Sequence, residues 1–286
     1  MRYQFLRYPG GLCKAVTLSY DDGAKADARL AETLNRYGLK CTFNLLSSRV
    51  ADEGGLTKEF IRSEILAKGH EIATHGDYHR GLDVARSIEG IRDTLDCRLG
   101  LEKEFGIIVR GMAFPDRTVN KAKFPEAYAR IRPFLKELEI AYARTTGGDN
   151  NSFALPEDFY NWVPTAHHKN PLLMEYIEEF LSLDVNAQYG SRRGPRLFYL
   201  WGLAFEFDRD ENWELLDRIG ESLGGKEGVW YATNIELYEY ITAYRSLVYS
   251  ADNSIIYNPT VKTIWLDRDG TVYKLEPGET LNVSVF

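Results

Sequence analysis

The sequence is short of cysteine, of histidine, of long apolar runs and of excess positive charge, and each shortage excludes a class of protein. Its 286 residues hold three cysteines, Cys13, Cys41 and Cys97. They are odd in number, far apart and without a C-x-x-C pair, so neither a disulfide framework nor a cysteine zinc site is expected, and a reducing compartment fits. The longest apolar stretch, residues 197–205, is far short of a membrane span, and the opening Met1-Arg2-Tyr3-Gln4-Phe5-Leu6-Arg7 has no apolar core of a signal peptide. As written, the chain is expected to be cytoplasmic, with no membrane partner. The formal net charge is −7. Arg192, Arg193 and Arg196 are too short a group to make a basic stripe, so no nucleic-acid partner is expected. Only five histidines exist, in two knots: His70, His75 and His79, then His167 and His168. Any imidazole chemistry must come from these.

What is present reads as a globular α/β chain. From Ala15 onward, short apolar runs alternate with amphipathic stretches, which predicts β-α units and a largely parallel sheet. Strands are expected over residues 15–20, 41–46, 70–73, 111–114, 140–143, 161–163 and 197–201. Helices are expected over 24–36, 57–68, 83–105, 119–138, 171–182, 211–223 and 234–248. In the long 83–105 segment, Ile88, Ile91, Leu95 and Leu99 recur at helical spacing. The texture changes near the end, where Thr263-Ile264-Trp265-Leu266 and Thr271-Val272-Tyr273 alternate around Asp267-Arg268-Asp269-Gly270. That run lacks the remaining ligands of a calcium loop and reads as a hairpin turn. The expected division is a barrel-sized unit over 1–250 and a small antiparallel β appendage over 251–286, packed on it.

Two short motifs carry the chemistry. Asp21-Asp22-Gly23 follows the first strand, where α/β sheets and barrels place their sites, and the glycine lets the chain turn. Alone, the motif is more often only a turn with a helix cap. His75 and His79 have the spacing of two ligands on one helical turn, although a helix-surface coincidence gives the same spacing. Taken together, Asp22, His75 and His79 make a two-histidine, one-carboxylate set with open positions, suited to one divalent ion, Zn²⁺ first, with Asp21 left as a free base.

These residues resemble the polysaccharide deacetylase (NodB-like) family of carbohydrate esterases, family 4. Ser19-Tyr20-Asp21-Asp22-Gly23 matches that family's Thr-Phe-Asp-Asp-Gly, and His75-Gly76-Asp77-Tyr78-His79 matches its His-[Ser/Thr]-x-x-His. The resemblance covers roughly residues 12–205 and implies a distorted (β/α) barrel. It implies Asp21 as catalytic base and Asp22, His75 and His79 as metal ligands. Arg110-Gly111-Met112-Ala113-Phe114-Pro115-Asp116 stands for the third motif, which implies that Arg110 holds Asp21 and that the Asp116 amide helps hold an oxyanion. Trp162 is the nearest match to an aromatic groove wall. The family's last motif ends in a histidine acid, but here the strand reads Leu197-Phe198-Tyr199-Leu200-Trp201-Gly202-Leu203. Trp201 or Leu203 takes that place, and Trp201 is expected to line the substrate. The acid must then come from His168 or its neighbour His167, from Glu206, or from Asp21 returning the proton it took. The resemblance implies a hydrolase that removes acetyl groups from N-acetylated sugars. Hydrolysis of a non-carbohydrate, including cyclic, amide and a decayed sugar-binding protein stand as alternatives.

Overall fold

A computed structural model describes residues 3–116 and 119–283. The chain opens with a short strand, β1 (Gln4–Arg7), and then builds a parallel sheet. Its strands are β2 (Lys14–Asp22), β3 (Cys41–Leu45), β4 (Glu71–Thr74), β5 (Gly111–Ala113), β6 (Tyr142–Arg144), β7 (Ala166–His167), β8 (Arg196–Gly202) and β9 (Val229–Tyr231). In space the order is β6-β5-β4-β3-β2-β8-β7, with β9 against the first residues of β2. The segment before β7 closes the curl. Trp162 bridges in parallel to Arg144 at the end of β6, and Ala166 of the same segment pairs with Leu200 of β8. The result is the distorted (β/α) barrel that the sequence implied.

The two-residue period of the strands decides what lies on each side of the sheet. Val16, Leu18 and Tyr20 of β2, with Cys41, Phe43 and Leu45 of β3, face outward into the main apolar core. Thr17, Ser19 and Asp21, with Thr42 and Asn44, face the lumen and hydrogen-bond across it. Deeper in the lumen, Glu71 accepts from Thr42 Oγ1 (2.7 Å), Tyr142 OH (2.7 Å) and the Ile235 N–H (2.8 Å). Burial outweighs these donors and pushes its carboxyl up to about 7.

Helices cover the outside: α1 (Ala26–Arg36), α2 (Lys58–Phe60, continued by a π-type turn over Ile61–Leu66), α3 (Ser87–Phe105), α4 (Pro125–Glu137), α5 (Leu173–Ser182), α6 (Phe205–Arg209), α7 (Trp213–Leu223) and α8 (Asn234–Arg245). Two expectations need correcting. The strand expected at 161–163 is absent, because Phe159–Asn161 form a 3-10 turn and Trp162 makes only an isolated bridge. On α3 the aliphatic row points outward: Ile88, Leu95 and Leu99 are exposed, while Gly90, Asp93, Thr94, Cys97 and Leu101 are buried.

The final strands are β10 (Val248–Tyr249), β11 (Ile255–Tyr257), β12 (Ile264–Arg268), β13 (Thr271–Leu275) and β14 (Thr280–Asn282). Asp269 and Gly270, both at positive φ, form the two-residue loop between β12 and β13, as a type I′ hairpin requires. The expected boundary at residue 250 is not where the fold divides. β1, from the opposite end of the chain, pairs with β12, and β10 pairs with β11. Residues 284–286 of the expected appendage lie outside the described residues. The appendage shares a core with the barrel, Ile264, Leu266 and Leu275 clustering with Ala15, Leu197 and Tyr199.

Candidate functional site

Neighbouring residues on a strand point to opposite faces, so two adjacent aspartates reach one pocket only if the second leaves strand geometry. Asp22 does so, at φ +83°, and Gly23 follows at φ +65°. A Cβ on Gly23 would come within 2.9 Å of Leu45 Cδ2, so the turn also needs the glycine for space. Asp21 points into the lumen while Asp22 swings toward the end of β4.

There Asp22 Oδ1 lies 3.7 Å from His75 Nε2 and 3.6 Å from His79 Nε2. These separations are too long for hydrogen bonds and near the roughly 3.3 Å spacing of donors around a tetrahedral ion. Asp22 Oδ1 is buried without a hydrogen-bond partner. His75 directs Nδ1 at the Ala113 carbonyl, 2.9 Å away, which puts the proton on Nδ1 and leaves a lone pair on Nε2. Burial holds the His75 imidazole below its ordinary pKa, the two aspartates opposing only in part, so it stays neutral as a ligand must be. The donor set therefore fits a divalent cation. The segment between the histidines is not the helical turn expected from their spacing. It is an irregular loop with Gly76 at φ +84° and His79 at φ +54°.

Asp21 is almost fully buried, and both its oxygens are held: Asn44 Nδ2 donates to Oδ1 (2.8 Å) and Arg144 Nη2 to Oδ2 (2.5 Å). The partner expected from the sequence was Arg110, and this is corrected. The Arg110 guanidinium lies over the Tyr238 ring, 5.8 Å from its centroid. Arg144 was missed because the expected strand stopped at 143, one residue short of the charged residue at its C-terminal end. Asn44 carried no signal beyond being a polar residue in an apolar strand. Asp116, at φ +54°, turns its N–H toward His79 Nε2 (3.5 Å), into the same pocket.

The expected groove residues divide. Trp162 is 1% exposed and packs edge-on against Tyr142, Phe159 and Tyr199, so it is a core residue and cannot wall a groove. Trp201 is half-buried at the pocket, with the Arg144 guanidinium 4.3 Å over its ring and the His167 ring edge-on at 4.4 Å.

His168, expected as the acid, is also corrected. Its ring is buried between Tyr20 and Phe207, and burial takes it down to about 3, so it stays neutral. His167 is nearer the pocket, and one of its nitrogens is engaged. Nδ1 accepts from the Lys169 N–H (3.1 Å) and Nε2 faces Glu206 Oε2 (3.2 Å). His168 Nε2 also approaches Glu206 Oε2, at 3.3 Å, making a second group of three potential donors. This group fits a cation poorly. An Nδ1 that accepts an N–H puts the His167 proton on Nε2, and Arg209 and Lys169 lie on Glu206 Oε1, although Oε2 has no hydrogen-bond partner. His168 Nδ1 has no hydrogen-bond partner, and neither histidine of this pair hydrogen-bonds to Asp21, whose partners are Asn44 and Arg144.

No curated protein matches the chain. Among solved structures, a Mycobacterium smegmatis protein described as a polysaccharide deacetylase matches with 19% identity and a TM-score of 0.56, over 84% of this chain and 94% of that one. PuuE allantoinase matches with 14% identity and a TM-score of 0.56, over 81% and 91%. The Streptococcus pyogenes deacetylase PplD matches with 17% identity and a TM-score of 0.41, and the chain spans 55% of its length. At such identities the likeness is one of fold. Residues 7–141, which carry Asp21, Asp22, His75, His79 and Asp116, match the family model described as polysaccharide deacetylase, and the barrel fold is shared with the solved structures.

Proposed function

We propose that the protein is a metal-dependent hydrolase that removes an acetyl group from an N-acetylated sugar. The observation that carries the reading is a base with both oxygens fixed, Asp21 on Arg144 and Asn44, beside a three-donor group whose Asp22 Oδ1 has no partner. A divalent ion on Asp22, His75 and His79, Zn²⁺ first, supplies Lewis acidity toward the acetyl carbonyl and toward water. Asp21 takes the proton of the attacking water at Oδ1 or Oδ2, and Arg144 keeps that carboxylate oriented. The Asp116 N–H donates to the carbonyl oxygen as it gains charge. Neither His167 nor His168 hydrogen-bonds to Asp21, and Asp21 itself returns its proton to the leaving group. Trp201 forms the wall on that side. The test is acetate release from N-acetylated chito-oligosaccharides by Zn²⁺-loaded protein, expected to fall at least about 100-fold in Asp21→Asn. Full Zn²⁺ occupancy with no acetate release from acetylated sugars overturns it, and the further absence of ring opening in cyclic amides leaves the sugar-binding reading.

The same missing imidazole favours a second reading, an ester substrate. An amine must be protonated before it leaves carbon, whereas a sugar alkoxide departs with far less help. An O-acetylated sugar therefore suits a site in which Asp21 carries the proton. Comparing kcat/KM for O-acetylated and N-acetylated forms of one oligosaccharide separates the two, and equal or higher values for the amide remove the ester reading.

A further inference from the structure

We propose that Asp93 is a positioning residue for the metal, gripping the loop between the two histidines from α3 so that His79 faces Asp22 and His75. The proposal rests on the metal reading above. A carboxylate with a side-chain exposure of 3% in the middle of a helix is costly unless something uses it, and an aliphatic side chain would suit that position better. Here the loop uses it. Asp93 Oδ1 accepts the Tyr78 N–H (3.0 Å) and lies 3.9 Å from Arg80 Nε, while the main-chain carbonyl of Asp93, which any residue would supply, accepts the Asp77 N–H (3.2 Å). Asp93 Oδ2 has no polar partner and rests against Gly76, where an added Cβ would come within 2.3 Å of it. From the other flank, the Ser47 and Ser48 hydroxyls donate to the Asp77 side chain and carbonyl.

The loop needs this grip. His79 sits at φ +54°, a left-handed conformation that a non-glycine residue adopts only at a cost, and Gly76 sits at φ +84°. An unheld loop would relax, and His79 Nε2 would leave its place 3.6 Å from Asp22 Oδ1. His75 has its own anchor at Ala113, so the two ligands depend on different supports. Thr94, also turned inward, donates to the Gly90 carbonyl of its own helix (2.9 Å), so of the two it is Asp93 that meets the loop.

The experiment measures Zn²⁺ affinity by chelator competition and the visible spectrum of the Co²⁺ form, with the melting temperature of the metal-free protein as a control. Asp93→Ala is expected to weaken Zn²⁺ binding about 10–100-fold and to change the Co²⁺ spectrum. Asp93→Asn, whose amide oxygen still accepts the Tyr78 N–H, is expected to stay within about threefold of wild type. If Asp93→Ala does not fold, Asp93→Leu, of similar branching but with no acceptor for the Tyr78 N–H, is expected to give the same loss. Wild-type affinity and spectrum in Asp93→Ala overturn the proposal, as does an equal loss in Asp93→Asn. Wild-type protein that binds no Zn²⁺ removes the metal reading and the proposal with it, whereas wild-type binding with unaffected variants removes the proposal alone.

Discussion

Arg144 and Arg110 sit one strand apart, yet only one of them touches the proposed base, and the difference is physical. Arg144 is buried at 1% exposure at the lumen end of β6, with Trp201 across its flat face and Asp21 on its Nη2. Removing it leaves Asp21 as a buried charge paired only through Asn44, a situation that costs about 3–5 kcal/mol. Arg144→Ala is therefore expected to lose stability of that order and at least about 100-fold in kcat/KM, while Arg110→Ala stays within about threefold. Thermal unfolding and steady-state kinetics on both variants check this, and the reverse ranking would return the role to Arg110. The motif residues Asp21, Asp22, His75 and His79 were legible because order and spacing survive in one dimension. Arg144 was not, since its partner lies 123 positions away and only the barrel brings them together.

At the scale of elements, strands were more readable than helix faces. β2, β3 and β8 announce themselves because a buried parallel strand is apolar outward and its few polar residues fall on alternate positions. The rotation of α3 could not be read that way, because the loop it must hold outweighs its aliphatic row. Trp162 was misplaced for a related reason: an aromatic residue signals burial or binding equally well until its neighbours are known. The junction of β7 and β8 is similarly tight. Gly202 ends β8 directly against the His168 ring, and a Cβ there would lie 1.9 Å from Nδ1. Overpacking of this kind costs about 1–3 kcal/mol, so Gly202→Ala is expected to lower the melting temperature by several degrees. The companion variant His168→Ala, which opens space, is expected to relieve most of that loss. If Gly202→Ala melts with wild type, the packing of this junction is looser than described.

At the scale of the whole molecule, two buried polar groups join parts of the chain that are remote in sequence. Asp267 binds Arg7 and Arg193, tying β1 and the loop before β8 to the appendage. Glu71 joins β3, β4, β6 and the start of α8 inside the lumen, and its carboxyl lies near 7 where an exposed glutamate lies near 4.5. The folded chain therefore holds this proton more tightly than the unfolded chain does. That stabilisation is complete below about pH 4.5 and is lost as pH rises through about 7, a change on the order of 3 kcal/mol for this group alone. Glu71→Gln keeps the site neutral at every pH. Its amide oxygen can accept the Ile235 and Thr42 donors, while the Tyr142 hydroxyl turns to accept from its nitrogen. The variant is expected to gain on wild type steadily between pH 5 and 8 in denaturant unfolding, with the two closest at the acid end. A difference that stays flat across that range would show that Glu71 is ionised throughout and that its three donors, rather than burial, set its charge.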